Sequence, residues 1–234
     1  MKLSVVVPAY NERQRIPQTL ERLRAYLDAA DEPDEVIEAD DGSTDRTVEY
    51  VQSVVDSWPE LRLVALPRNR GKGAAVRAGM LAATGELRLF SDADLSAPIE
   101  ELPRLRARIG GSCHVAIGSR AVPGSTIGIH QPGRREMMGR NYNRLVRMLV
   151  LPGLHDTQCG FKLFTATAAA ACFEPLRTVG FGFDAEVLLR ARRHGWEVAE
   201  VPVRWDHRDD SRVSALRDSW GTLVDLVRLR LRRF

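Results

Sequence analysis

The residues best equipped for chemistry are Asp92 and Asp94, one residue apart in Ser91-Asp92-Ala93-Asp94 at the end of the apolar run Leu87 to Phe90. Side chains alternate faces along a strand. Two carboxylates at this spacing are therefore expected on one side, roughly 7 Å apart at Cα, near enough to converge on one divalent cation. Mg²⁺ or Mn²⁺ held in this way clamps a diphosphate. An isolated Asp-x-Asp triplet is more often a solvated turn, so the company the pair keeps decides its meaning.

Short apolar strands alternate with helical patterns, which predicts an α/β fold with a largely parallel sheet between helices. Leu3 to Val7 reads as the first strand, followed by a helix from Arg15 to Ala29 with Ile16, Leu20, Leu23 and Leu27 on one face. Glu35 to Ala39 is the second strand, with a helix from Asp45 to Trp58 after it. Leu61 to Leu66 and Glu86 to Phe90 are strands three and four, separated by a helix from Ala74 to Ala83. The run His114 to Ile117 leads into Gly118-Ser119-Arg120. In open α/β sheets ligands bind beyond the carboxyl ends of the strands. Polar motifs stand at these ends: Pro8-Ala9-Tyr10-Asn11-Glu12, Asp40-Asp41-Gly42-Ser43-Thr44-Asp45, Arg68-Asn69-Arg70-Gly71-Lys72-Gly73 and Ser91-Asp92-Ala93-Asp94. Four consecutive strands thus open into one crevice.

Each loop also has a plainer reading. Asp40-Asp41-Gly42-Ser43 suits a turn and helix cap as well as a paired contact to a nucleobase edge or ribose diol. Gly71-Lys72-Gly73 lets backbone approach a phosphate beside a cation, without the Ser/Thr ending of a nucleotide-triphosphate loop. A nicotinamide dehydrogenase built on Gly71 and Gly73 fails on Val76, where the fingerprint expects Gly or Ala, and leaves Asp94 unexplained. Lysine usage is a further clue: Lys2, Lys72 and Lys162 are the only lysines. The last two both sit inside polar motifs, which points to local geometry suited to a compact charge rather than a fork.

Composition narrows the class. The 234 residues are 44% hydrophobic and 28% charged, enough for one generous core. Three separated cysteines, Cys113, Cys159 and Cys172, argue against a disulfide framework or zinc site and for a reduced, cytoplasmic protein. No apolar run approaches the ~20 residues of a membrane span. Net charge is only +3, yet Arg120, Arg134, Arg135, Arg140, Arg144 and Arg147 cluster against the single acid Glu136. Without aromatic interleaving or a helix-turn-helix pattern, this basic stretch suits phosphate on a small molecule or lipid rather than nucleic acid. Leu216, Trp220, Leu223, Val224, Val227 and Leu231 form a helical stripe beside Arg228, Arg230, Arg232 and Arg233. That amphipathic helix either docks on the inner face of a membrane or packs on protein. The expected organisation is one domain over 1–212, with one half (1–95) carrying the four polar loops and the other (96–212) the arginine-rich stretch, followed by the basic helix at 213–234.

In order, Val5-Val6-Val7-Pro8-Ala9-Tyr10-Asn11-Glu12, Asp40-Asp41-Gly42-Ser43-Thr44-Asp45, Asn69-Arg70-Gly71-Lys72-Gly73, Asp92-Ala93-Asp94-Leu95-Ser96 and Gly118-Ser119-Arg120 resemble glycosyltransferase family 2. Asp156-Thr157-Gln158-Cys159-Gly160-Phe161-Lys162-Leu163-Phe164 and Phe183-Asp184-Ala185-Glu186 resemble its dolichyl-phosphate glucosyltransferase branch. The resemblance runs from about Leu3 to Val213. It implies a GT-A fold and inverting hexose transfer from a nucleoside-diphosphate sugar, UDP-glucose first and GDP-mannose second, to polyprenyl or dolichyl phosphate. By position, Pro8, Tyr10, Glu12 and Asp41 line the nucleoside pocket, with Asp40 as the alternative contact and Lys72 close by. Asp92 and Asp94 hold Mg²⁺ or Mn²⁺. Arg120 with one or more of Arg134, Arg135 and Arg140 receives the acceptor phosphate, and Asp156, Gln158 and Lys162 shape the sugar site.

Chemistry and resemblance meet at the nucleophile. A phosphomonoester has a second pKa of about 6 and is already largely ionised at neutral pH, whereas an alcohol needs a base, for which Asp156 is the candidate. A soluble or saccharide acceptor, or a noncatalytic nucleotide-sugar-binding role, are the alternatives. Glu38 departs from the family's usual aliphatic residue: inside a strand buried on both faces it must be paired, protonated or near an edge. Ser96 stands where mannose-transferring relatives often have Gln. His207, Ser211 and Arg212 are candidates to close over the donor or form a solvated loop, and His155 and His194 read as structural or surface residues.

Overall fold

The structure, a computed structural model, describes residues 2–30, 34–129, 133–207 and 225–231. Strands β1 (Leu3–Ala9), β2 (Asp34–Asp40), β3 (Leu61–Ala65) and β4 (Leu87–Ser91) alternate with helices α1 (Ile16–Ala30), α2 (Thr47–Val55) and α3 (Lys72–Ala82). After a short 3₁₀ turn and α4 (Leu102–Arg106) come β5 (Cys113–Ser119), β6 (Thr126–Ile129) and α5 (Gly133–Leu149). The chain continues through β7 (Phe161–Thr165), α6 (Ala166–Phe173), α7 (Phe183–Arg193), β8 (Glu197–Pro202) and β9 (Arg204–Asp206). The main sheet has the order β3-β2-β1-β4-β7-β5-β8, and β6 pairs with β9 in a small second sheet. All main-sheet pairs are parallel except those of β7, which runs antiparallel to both β4 and β5.

Alternation along the strands sends Val5, Val7, Val36 and Leu89 to one apolar layer, and Val6, Ile37, Ala39 and Phe90 to the other. The stripe expected on α1 is the face that packs, with Ile16, Leu20, Leu23 and Leu27 all buried. β1 runs two residues past its expected end and takes in Pro8. The β4 pairing has already stopped at Val6 opposite Phe90, so a residue without an N–H is tolerated there. The segment 225–231 is helical and buries Leu226 and Leu229 in the second layer. Val227 and Leu231, members of the apolar stripe, are 48% and 77% exposed. The rest of that stripe, and Ser211 and Arg212, lie outside the described residues.

Two glutamates of β2 resolve in opposite ways. Burial would raise the pKa of Glu35, but hydrogen bonds from Ser4, Thr84 and Arg62 outweigh it and bring the carboxyl down to about 2. Glu38 is 0% exposed, and neither of its carboxylate oxygens has a partner. Its strand lies between β1 and β3, so no edge relieves it. Burial, reinforced by nearby Asp40, pushes its pKa up to about 9, and the side chain is a neutral acid at pH 7. The unfolded chain releases this proton near the ordinary glutamate value while the folded protein keeps it. Stability therefore falls as pH rises through that interval, by about 1.4 kcal/mol per pH unit. Glu38→Gln, with no proton to lose, is expected to flatten the decline of Tm between about pH 5.5 and 8.5. Equal slopes in the two proteins would refute this.

Candidate active site

Above the carboxyl ends of β1 and β2 the loops are cross-tied. Asn11 N–H donates to Ser43 Oγ, Thr44 N–H to Asn11 Oδ1, and Glu12 N–H to Thr47 Oγ1. Tyr10 is left 40% exposed at the rim, while Glu12 is engaged by Arg15 at 2.9 Å. Asp41, first choice for the nucleoside contact, accepts from the N–H groups of Arg70 and Gly71, both at 2.8 Å. Burial raises its pKa against those bonds. Its carboxylate holds the loop before α3. Asp40 is 0% exposed; it accepts from Ser43 N–H through Oδ1, and its buried Oδ2 has no partner among the described residues.

The glycines around Lys72 are required by packing. Gly71 has φ +104°, and a Cβ there would lie 2.5 Å from the Val179 carbonyl oxygen; one on Gly73 would lie 2.7 Å from Phe183 Cβ. Their bareness seats α3 against the chain leading into α7. Lys72 opens that helix and pairs with Asp92 at 2.6 Å. Burial disfavours its charge, but Asp92, Asp184 and Asp94 outweigh this and raise its pKa.

Asp92 and Asp94 stand just beyond β4, not within it. Leu95 N–H closes a turn onto the Asp92 carbonyl, and Asp94 Oδ1 accepts from Ser96 N–H. The strand-alternation argument therefore does not apply, and it is the turn that brings both carboxylates to Lys72. Asp92 is seated on Gly160: its N–H donates to the Gly160 carbonyl at 2.9 Å, and a Cβ on residue 160 would overlap its carboxylate. Two carboxylates form an all-oxygen donor set suited to a hard divalent cation. No group of three or more His, Cys, Asp or Glu able to hold a metal occurs among the described residues. The oxygen chemistry of the two carboxylates fits Mg²⁺ or Mn²⁺, and two protein ligands leave further positions to phosphate oxygens.

Lys162, expected at the sugar, is 1% exposed. Its ammonium donates to the Cys159 carbonyl and pairs with Asp184 of α7 at 2.6 Å, so it stands behind the site rather than in it. Both lysines lie over the Phe90 ring, Nζ to centroid 5.4 Å for Lys72 and 5.5 Å for Lys162. The alternating charges Asp92, Lys72, Asp184 and Lys162 form the floor of the crevice.

Arg120 and Asp156 form the second centre. Asp156 is 1% exposed and takes Arg120 in a two-pronged pair, Nε to Oδ2 at 2.6 Å and Nη2 to Oδ1 at 2.9 Å. Asn143 Nδ2 and the Gln158 N–H also donate to Oδ1. Burial would raise the pKa of Asp156, but Arg120 overrides it and holds the carboxyl far below the usual range. The Arg120 guanidinium lies over Trp205, 5.2 Å from the ring centroid. Beside this pair opens a cavity of about 600 Å³, whose lining includes the apolar Val122, Pro123, Ile127 and Trp205 together with Arg140, Arg144, Arg147 and His155.

Of the residues expected to meet the acceptor, Arg120 and Arg140 line this cavity; the side chains of Arg134 and Arg135 lie outside the described residues. Arg144 and Arg147, part of the basic stretch read as phosphate-facing, line it as well, as does His155, read as a structural or surface residue. The spacing 140, 144, 147 was the available signal, because it puts three arginines on one helix face. His207, a candidate to close over the donor or lie in a solvated loop, is buried and stacks on Trp205. Cys113, Cys159 and Cys172 are buried and unpaired; burial pushes the Cys159 thiol up to about 12, so it is no nucleophile.

A family model described as glycosyl transferase family 2 matches residues 4–173. The dolichyl-phosphate beta-glucosyltransferase of Trichomonas vaginalis is 38% identical over 234 residues, spanning 96% of this chain and 69% of that protein. The human dolichyl-phosphate beta-glucosyltransferase is 33% identical over 247 residues, spanning 99% and 75%. Among solved structures, glucosyl-3-phosphoglycerate synthase from Mycobacterium tuberculosis, in complex with Mn²⁺, uridine diphosphate and glucosyl-3-phosphoglycerate, superposes with a TM-score of 0.75 at 20% identity. That match covers 100% of this chain and 81% of the other and is a likeness of fold. With its motifs at the ends of a GT-A sheet and a family match over most of its length, the chain belongs to glycosyltransferase family 2 and is a glycosyltransferase.

Proposed function

We propose that this glycosyltransferase moves a hexose, glucose first and mannose second, from a nucleoside-diphosphate sugar to polyprenyl or dolichyl phosphate with inversion at the sugar. The observation that carries the proposal is the mixed lining of the cavity beside Asp156 and Arg120: the apolar Val122, Pro123, Ile127 and Trp205 suit an isoprenoid, and Arg140, Arg144 and Arg147 suit its phosphate. The two relatives named above as dolichyl-phosphate beta-glucosyltransferases support the choice of sugar and lipid.

In this reading Tyr10 at the rim contacts the nucleoside together with Asp41 or, alternatively, Asp40. Lys72 at the start of α3 draws the diphosphate, where helix N–H groups and an ammonium coincide. Asp92 and Asp94 would hold Mg²⁺ or Mn²⁺, which when bound neutralises charge gathering on the leaving diphosphate. Asp156 is a poor base, because Arg120 already stabilises its charge. That favours a nucleophile which arrives ionised, and phosphate does. Arg140, Arg144 and Arg147 hold it in place without having to deprotonate it.

The test is nucleoside diphosphate release from UDP- and GDP-sugars with Mg²⁺ or Mn²⁺, with and without a short polyprenyl phosphate. The expected result is release stimulated by the lipid with UDP-glucose and abolished by chelation. Release indifferent to lipid but stimulated by soluble anionic acceptors would replace the lipid reading. Tight donor binding without turnover under any acceptor would return the noncatalytic one.

A further inference from the structure

Glu200 lies on β8, at the edge of the main sheet, sharing a face with Val198 and opposite Ala199 and Val201. Its side chain is 9% exposed and reaches across to two separate stretches of chain. Ser119 Oγ donates to Oε1 at 2.7 Å and Asp156 N–H to Oε1 at 2.7 Å; His155 N–H donates to Oε2 at 2.9 Å, and His155 Nδ1 lies 3.1 Å from Oε2. Ser119 Oγ in turn accepts from Ala121 N–H, across Arg120. One carboxylate therefore fixes the backbone on both sides of the Arg120–Asp156 pair.

We infer that Glu200 is a positioning residue, acting through Ser119 and Asp156 to hold the Arg120 guanidinium at the mouth of the arginine cavity. A carboxylate is suited to the task because every group facing it is a donor, and it is acceptor-only when ionised. An amide cannot substitute: its NH₂ would meet an N–H or force the Ser119 hydroxyl to turn away from it. Once the 155–156 backbone shifts, the two-pronged Asp156 pair loses alignment, and the guanidinium drifts off Trp205. A displacement of about 1 Å at such a group is enough to cost on the order of 10²-fold in rate. His155 joins the same arrangement. Its Nδ1 is bound to Glu200, which fixes the ring where it lines the cavity.

The inference rests on the reading that this cavity takes the acceptor, and its first readout does not. In the intact protein, the Arg120 Nε–H, bonded to Asp156, is expected to give a slowly exchanging ¹H–¹⁵N cross peak, identified by its loss in Arg120→Lys. Glu200→Gln is expected to speed that exchange by at least about tenfold. With a short polyprenyl phosphate, the same variant is expected to raise the acceptor KM by roughly tenfold to a hundredfold and leave the donor KM within about twofold. Unchanged Nε–H exchange in folded Glu200→Gln overturns the inference, as does a parallel loss in donor and acceptor constants. Should Glu200→Gln not fold, Ser119→Ala removes a single bond to the same oxygen and is read identically, with a smaller rise in exchange expected and no rise again decisive against it. If the wild-type protein does not use the lipid, the function proposed above fails while the exchange measurement still judges Glu200.

Discussion

Replacing Asp94 by alanine is expected to leave a folded protein whose transfer rate is lower by about 10²–10³-fold or more. Among the described residues the side chain accepts from Ser96 N–H at 2.9 Å, and losing that bond costs about 1 kcal/mol, well within what the fold tolerates. The functional loss is far larger because Asp94 is the carboxylate not paired with Lys72, and so the one most readily available to a cation. Mn²⁺ titration followed by electron paramagnetic resonance gives a readout independent of turnover, and the variant is expected to lose its bound-metal signal. A folded variant with near-normal, metal-dependent turnover would remove Asp94 from the centre.

The largest expected effect on stability is that of Asp156→Asn. The amide keeps the shape but deprives Arg120 of its counter-charge, and breaking one side of such a buried pair costs roughly 3–5 kcal/mol. For a protein of this size that is a fall in Tm of roughly 10 °C. The pH dependence has a definite sign. Asp156 is held below the ordinary carboxylate range in the folded state, so its stabilisation is present above the unfolded pKa, near 4, and is lost as pH falls through the folded value. The Tm gap between variant and wild type is therefore expected to be constant from about pH 5 to 8 and to close in stronger acid. A gap that persists unchanged in acid, or one of only a degree or two at neutral pH, would show that the pair is not what holds this corner of the fold.

The first half of the fold is legible because each of its units is local. A strand, a polar loop and an amphipathic helix follow one another, and the positions Ile16, Leu20, Leu23 and Leu27 announce their own face. The second half is set by pairings between distant segments. Phe161 to Phe164 carries the signs of a site motif, and nothing in its residues states that it will run antiparallel between β4 and β5. For the same reason Lys162 reads as a ligand contact: its partner Asp184 comes from a distant helix, and that pairing, with the Cys159 carbonyl, makes burial of an ammonium tolerable. Gly71 and Gly73 signal close approach correctly, but not that the approaching group is the chain near Val179 and Phe183. Glu200 is silent because alternation with Ala199 and Val201 is what any half-exposed edge strand shows. The arginine lining was half visible, since its composition is plain from the sequence and its helix face is not.

The placement of β7 carries a consequence for how the protein is made. β4 and β5 are consecutive strands of the main sheet in the chain, yet they are separated in space by a strand synthesised after both. As the chain emerges from the ribosome, β1 to β4 can assemble as they appear, whereas β5 has no place in the sheet until Phe161 to Thr165 arrives. Gly160, on which the Asp92 carboxylate is seated, arrives with that strand. A nascent chain ending before it thus has its donor loops without a finished carboxylate site, and competence for transfer comes with closure of the sheet rather than by degrees.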